Sequence, residues 1–233
     1  MRKRPLILAI SLLTFGPVGA LTIGCGNADE PYKATPAWSG KKVSVPAVPT
    51  LPTNPIKSGD AYTVFGARHH LQSRIHDKEV TSKDITLIGY IVQENVTDAP
   101  ECAVHKSGKG DPETCKAEIP SFWIADAKGD TKTKIRVLGW AKNYASVFDA
   151  MDKYKGLKEP PKELYKDAVW SVDLPYPLPA VGAKVKVTGK YGYTFSKSST
   201  GIVSDPSNGV LTYAKIEYLE PPAAPLAFKN AKK

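Results

Sequence analysis

Three segments of this chain share one local pattern: Ile85-x-Leu87-x-Gly89, Ile135-x-Val137-x-Gly139 and Val185-x-Val187-x-Gly189. Alternating apolar residues rich in β-branched side chains mark a strand with one buried face. A glycine inside such a strand costs stability unless a bulge, a sharp bend or a close backbone approach needs it. Three strands of this kind predict a small sheet that coils tightly on itself. The segments between them do not match one another, so the pattern is shared strand chemistry and not a repeat.

The same patterning predicts strands over 85–92, 121–126, 134–140, 183–195 and 210–220. Between the third and fourth of these, Tyr144, Val147, Phe148, Met151 and Tyr154 recur at helical spacing, which predicts a helix over 141–154. Ahead of them, residues 61–80 read either as a strand and a short helix or as a hairpin. Residues 26–59 hold six prolines and no sustained periodicity, the composition of a semi-extended tether.

The stretch "LPAVGAKVKVTGKYGY" followed by "GVLTYAKIEYLE" resembles the last two strands of the OB-fold. The predicted order, three strands, a helix and two strands, is that of the same fold. The resemblance implies a mostly β body over 84–220: a small OB-like five-stranded barrel with one helix between strands three and four. Its long loops would be 93–120 and 155–182. The resemblance also implies a binding face on the outside of strands two and three, together with the loops joining strands one to two and four to five. Alternation then turns Phe122, Ile124, Ile135 and Val137 inward. Trp123, Arg136 and Trp140 turn outward, with Tyr90 on the same outer side. Aromatic rings with an arginine on an exposed sheet make a stacking platform or a protein hot spot. Alternatively, the long loops or residues 60–80 cover this face and make the aromatics a second core. The loop "SKSSTGIVSDPSNG" is polar and suited to contacting a partner.

The chain opens with Arg2, Lys3 and Arg4, then carries no charge until Asp29. A basic start followed by an apolar run is an export signal. It ends in Leu21-Thr22-Ile23-Gly24-Cys25, which resembles the lipobox of bacterial lipoprotein signals, with Thr22 where leucine is usual. The resemblance implies cleavage before Cys25 and a lipid on its thiol. Two alternatives are cleavage after Val18-Gly19-Ala20 and retention of the run from Pro5 to Gly24 as a membrane anchor. Lipidation of Cys25 would explain an odd count of three cysteines, leaving Cys102 and Cys115 as a disulfide pair in an oxidising compartment. Gly108, Gly110 and Pro112 let the chain between them turn back. Cys102-Ala103-Val104-His105, with Cys115, has metal-ligand spacing as well, but no second pair completes four ligands.

The formal net charge of +9 invites a nucleic-acid reading, yet residues 85–220 hold eighteen basic and seventeen acidic residues. Phosphate backbones are bound through an excess of Lys and Arg, and the folded body lacks one. Most of the excess lies in the signal segment and in Lys229, Lys232 and Lys233, which read as a solvated tail, with a further net +2 over residues 25–84. Catalytic patterns are poor. His69, His70 and His76 could meet a carboxylate such as Asp77 at a metal, but surface histidines are the plainer reading, and no phosphate-binding loop or nucleophile elbow appears.

The organisation expected is therefore a lipoprotein signal peptide over 1–24, a Pro-rich tether over 25–59, an N-terminal extension over 60–83, the OB-like domain over 84–220 and a basic Pro-rich tail over 221–233. The expected protein is lipid-anchored in the bacterial cell envelope, facing the periplasm or the exterior. It is expected to act as a non-catalytic binding or assembly module with no cofactor and no metal. It would meet a protein or glycan partner through Tyr90, Trp123, Arg136 and Trp140. One alternative is a periplasmic oligosaccharide or nucleic-acid binder; another is a metal-dependent enzyme using the histidines and the cysteine loop.

Overall fold

A computed structural model describes residues 40, 46–47, 54–169, 171–193 and 207–229. Cys25, the signal segment, most of the tether and most of the loop "SKSSTGIVSDPSNG" lie outside the described residues.

The body is mostly β. Its strands are β1 (Lys57–Ser58), β2 (Ala61–Thr63), β3 (Lys83–Glu94), β4 (Phe122–Ala125), β5 (Lys134–Leu138), β6 (Lys184–Gly192) and β7 (Val210–Glu220). They form one mixed sheet in the order β1-β2-β3-β4-β5-β7-β6, and β3 also pairs with β6. Five strands, β3, β4, β5, β7 and β6, thus make a partial ring. Its pairings are antiparallel except for a short parallel contact between Arg136–Leu138 of β5 and Val210–Thr212 of β7. Strand β3 reaches from Lys83 to Glu94, further than the expected 85–92, because its two ends pair with different partners.

Two of the three patterned glycines have steric reasons. A Cβ on Gly189 would stand 2.1 Å from the Thr212 carbonyl oxygen, and the β6–β7 register shifts between Thr188 and Gly189. A Cβ on Gly89 would stand 2.6 Å from the Ala125 oxygen. Both glycines let neighbouring backbones approach where the sheet bends. Gly139 instead sits just past β5 with φ at 82°, a left-handed conformation that ends the strand.

Residues 57–80 join this sheet through β2, which runs parallel to β3, and carry the helices α1 (Val64–Gln72) and α2 (Asp77–Val80). Helix α1 is fixed at its start. The Thr63 hydroxyl accepts from the Gly66 amide, and the Asp126 carboxylate, just past β4, accepts from the Val64 and Phe65 amides at 2.7 and 2.8 Å. Helix α3 (Tyr144–Tyr154) is capped by Asn143, whose side-chain oxygen accepts from the Ser146 amide. It buries Tyr144, Val147, Ala150 and Tyr154 against the sheet, while Phe148 faces Phe228 of the C-terminal segment, ring centroids 6.3 Å apart.

The long connections are tied down. Tyr154 holds the 155–183 segment, donating to the Leu174 carbonyl and accepting from the Tyr165 amide. Cys102 and Cys115 are bridged across the 95–121 loop, so their sulfurs are not free to ligate a metal. Among the described residues, no helix is long and apolar enough to cross a membrane.

Candidate functional site

Inward and outward faces follow strand alternation over β4 and β5. Phe122, Ile124, Ile135 and Val137 are fully buried. Trp123 and Arg136 are partly exposed, as is Tyr90 on β3. The register places Trp123 directly opposite Arg136 on one side and opposite Gln93 on the other, while Tyr90 stands opposite Ala125. The two rings therefore lie diagonally on one face, with the fully buried Ala125 beside Tyr90.

Trp140 corrects the sequence reading. It is fully buried and meets Phe122 edge to face, ring centroids 6.2 Å apart. The cause is Gly139: its positive φ breaks the alternation and turns Trp140 into the main core, whereas Leu138, ahead of it, is buried in a separate cluster with Ile119 and Val210. Trp140 is not part of the outer face.

Among the described residues, each outer ring carries two cations. The Lys128 and Lys184 ammonium groups both lie 5.3 Å from the Tyr90 ring centroid. Lys134 lies 5.7 Å and the Arg136 guanidinium 5.0 Å from the Trp123 centroid. These distances are within the range of cation–π attraction. Arg136 is further fixed by two hydrogen bonds to the Ser121 hydroxyl, and Lys134 donates to the Gln93 side chain.

Two carboxylates answer this charge. Glu118 meets Arg136 at 3.1 Å, and Glu220 lies 3.7 Å from Lys128 and 3.9 Å from Lys184. Both glutamates are at least half exposed, so these pairs contribute little to stability. A cleft of about 620 Å³ adjoins Tyr90, lined also by Phe65, Arg68, Asp126, Thr133 and Lys184. Residues 54–68 therefore border this part of the face and do not bury Tyr90. Glu118, Glu220, Lys128 and Lys184 come from loops and strands far apart in sequence, and no motif marks them.

A second cleft of about 640 Å³ lies between α3, Tyr176–Leu178 and Pro225–Phe228. It is walled mainly by apolar groups, among them Met151, Leu157 and Leu226.

The histidines gather differently from the sequence reading. His70 and His76 share Glu79, not Asp77, and the His69 ring lies 5.9 Å from both the Phe65 and the His70 ring centroids. His105 is held in the disulfide loop by Asp111 at 2.6 Å.

No protein-family model matches this chain and no curated protein matches it.

Proposed function

We propose that this chain is an exported lipoprotein, held to the bacterial envelope by a lipid on Cys25, whose body is an OB-like, non-catalytic module that binds an acidic glycan on the Tyr90–Trp123 face. The OB-like reading draws support from the chain order of the ring strands, three before α3 and two after it. Binding is assigned to the outside of the second and third ring strands, β4 and β5, where OB-folds commonly engage their ligands.

The observation that carries the ligand class is the pairing of two outward rings with two cations each. Flat aromatic faces stack on planar or ring-shaped ligands, and the ammonium and guanidinium groups match carboxylates. Glu118 and Glu220 occupy positions that a ligand's carboxylates would take over. Nucleic acid suits the body less well, because residues 85–220 carry almost no excess of Lys and Arg for an extended phosphate backbone. A second reading, an acidic protein segment, is favoured by the Trp–Arg pair, since Trp, Tyr and Arg concentrate at interface hot spots.

Titration of the purified chain with uronate-containing and neutral oligosaccharides of equal length tests the ligand class. The acidic series should bind and the neutral series should not. Equal binding of both, or of neither, would overturn it. Intact-mass analysis of membrane-extracted protein tests the anchor: a lipidated Cys25 terminus is expected, and an unmodified Leu21 terminus or a retained Met1 would sink it.

A further inference from the structure

The turn between α1 and α2 folds three ligating side chains together. The Ser73 amide donates to the His70 carbonyl as α1 ends, and the Ser73 carbonyl accepts from the Asp77 amide as α2 begins. This tight return lays the His76 ring over His70, centroids 4.9 Å apart and planes 21° apart. Glu79 follows three residues later, on the same side of the turn. Its Oε1 is 2.8 Å from His76 Nδ1 and its Oε2 is 3.5 Å from His70 Nδ1. Tyr62 of β2 sets the His70 ring from the other side by an edge contact at 5.4 Å.

We propose that His70, His76 and Glu79 form a binding site for a divalent transition-metal ion, with Zn²⁺ the best fit. One ligand atom from each residue lies within 4.8 Å of the other two. Ligands of a tetrahedral zinc with bonds of about 2.0 Å stand roughly 3.3 Å apart, so a small side-chain adjustment closes the triad. A second observation points the same way. The His70 side chain is 9 % exposed, and its Nδ1 is buried with no hydrogen-bond partner. A buried ring nitrogen without a hydrogen bond is costly, and a metal ion held between that atom and Glu79 supplies it a bond.

The donor set selects the ion. Two imidazoles and one carboxylate suit zinc and its first-row neighbours, whereas magnesium and calcium demand oxygen ligands. His76 and Glu79 are 42 % and 52 % exposed, so one side of the site faces solvent. Three protein ligands with an open side leave a coordination position for water or an anion. The site stands independently of the acidic-glycan reading, on other residues.

The test is calorimetric titration of the purified chain with Zn²⁺ and with Mg²⁺, supported by the visible spectrum of the Co²⁺ form. One equivalent of Zn²⁺ should bind, Mg²⁺ should not compete, and the Co²⁺ form should show tetrahedral-type absorption. His76→Ala and Glu79→Gln, both at exposed positions, should keep the circular-dichroism spectrum and each weaken Zn²⁺ at least about tenfold, through the loss of one of three ligands. His105→Ala should leave Zn²⁺ binding unchanged. Absence of stoichiometric Zn²⁺, binding that survives both His76→Ala and Glu79→Gln, or binding lost with His105→Ala would each overturn the proposal.

Discussion

Arg136 lies across the indole of its cross-strand neighbour Trp123, its guanidinium carbon 5.0 Å from the ring centroid, while the same guanidinium bonds Ser121 and Glu118. The arginine is thus pre-positioned on the ring it would share with a ligand. Trp123→Ala should weaken acidic-glycan binding by roughly ten- to a hundredfold, since stacking on one ring is typically worth about 1–3 kcal/mol. The melting temperature should fall by much less than for a core aromatic. Isothermal titration and thermal melting of the same variant check both halves. Unchanged affinity in a folded Trp123→Ala would remove the ring from the binding face.

On the proposed binding face, Glu118 and Glu220 would compete with an acidic ligand for the same cations. Glu118→Gln and Glu220→Gln should therefore tighten acidic-glycan binding, each by a factor of a few, consistent with the modest worth of exposed ion pairs. Weaker binding in either variant would mean that the glutamate contacts the ligand directly.

Trp140 is a core residue, and its indole Nε1 is buried without a hydrogen-bond partner. Trp140→Ala should destabilise by about 3–5 kcal/mol, the range for deleting a buried aromatic. Trp140→Phe should cost distinctly less, because it keeps most of the packing and removes an unpaired donor. Chemical denaturation of the two variants decides the order; equal losses would show that the indole N–H has a partner.

Gly189 admits no side chain. Its Cβ would stand 2.1 Å from a backbone oxygen of β7, which cannot move without disturbing the ladder. Gly189→Ala should destabilise by about 1–3 kcal/mol, the usual range for overpacking. Gly110, with open space around it and a negative or extended φ, should accept alanine with little change. Thermal melts of both variants make the comparison.

His105 is held above its ordinary pKa. Its Nδ1 donates to the Lys106 carbonyl and its Nε2 faces the Asp111 carboxylate, and both favour the doubly protonated ring against burial and Lys109. A group whose folded pKa is raised contributes stability that is full below its unfolded value of about 6.5 and is lost as pH rises through the folded value. The cysteine loop should accordingly exchange amide protons faster above that window than below it. NMR titration should give His105 a pKa above the ordinary value, and Asp111→Asn should lower it. A His105 pKa at or below the ordinary value would sink this account.

The period of two in β4 and β5 was enough to place Phe122, Ile124, Ile135 and Val137 inside and Trp123 and Arg136 outside, because a pleated strand turns successive side chains to opposite faces. Helical spacing likewise anticipated α3, whose start Asn143 then sharpened by capping. The Cys102–Cys115 bridge was legible from count and spacing. Trp140 was not, because alternation holds only while the backbone stays extended, and the left-handed turn at Gly139 changes the face. The partner of His76 required the helical turn as well: Glu79, three residues on, shares its face, whereas the adjacent Asp77 does not. Sequence supplied the rings of the platform, since they ride on periodic strands. Only the tertiary structure brought Lys128, Lys184, Glu118 and Glu220 to them, because a long-range ion pair depends on where loops and strand ends meet and leaves no periodic trace in the chain.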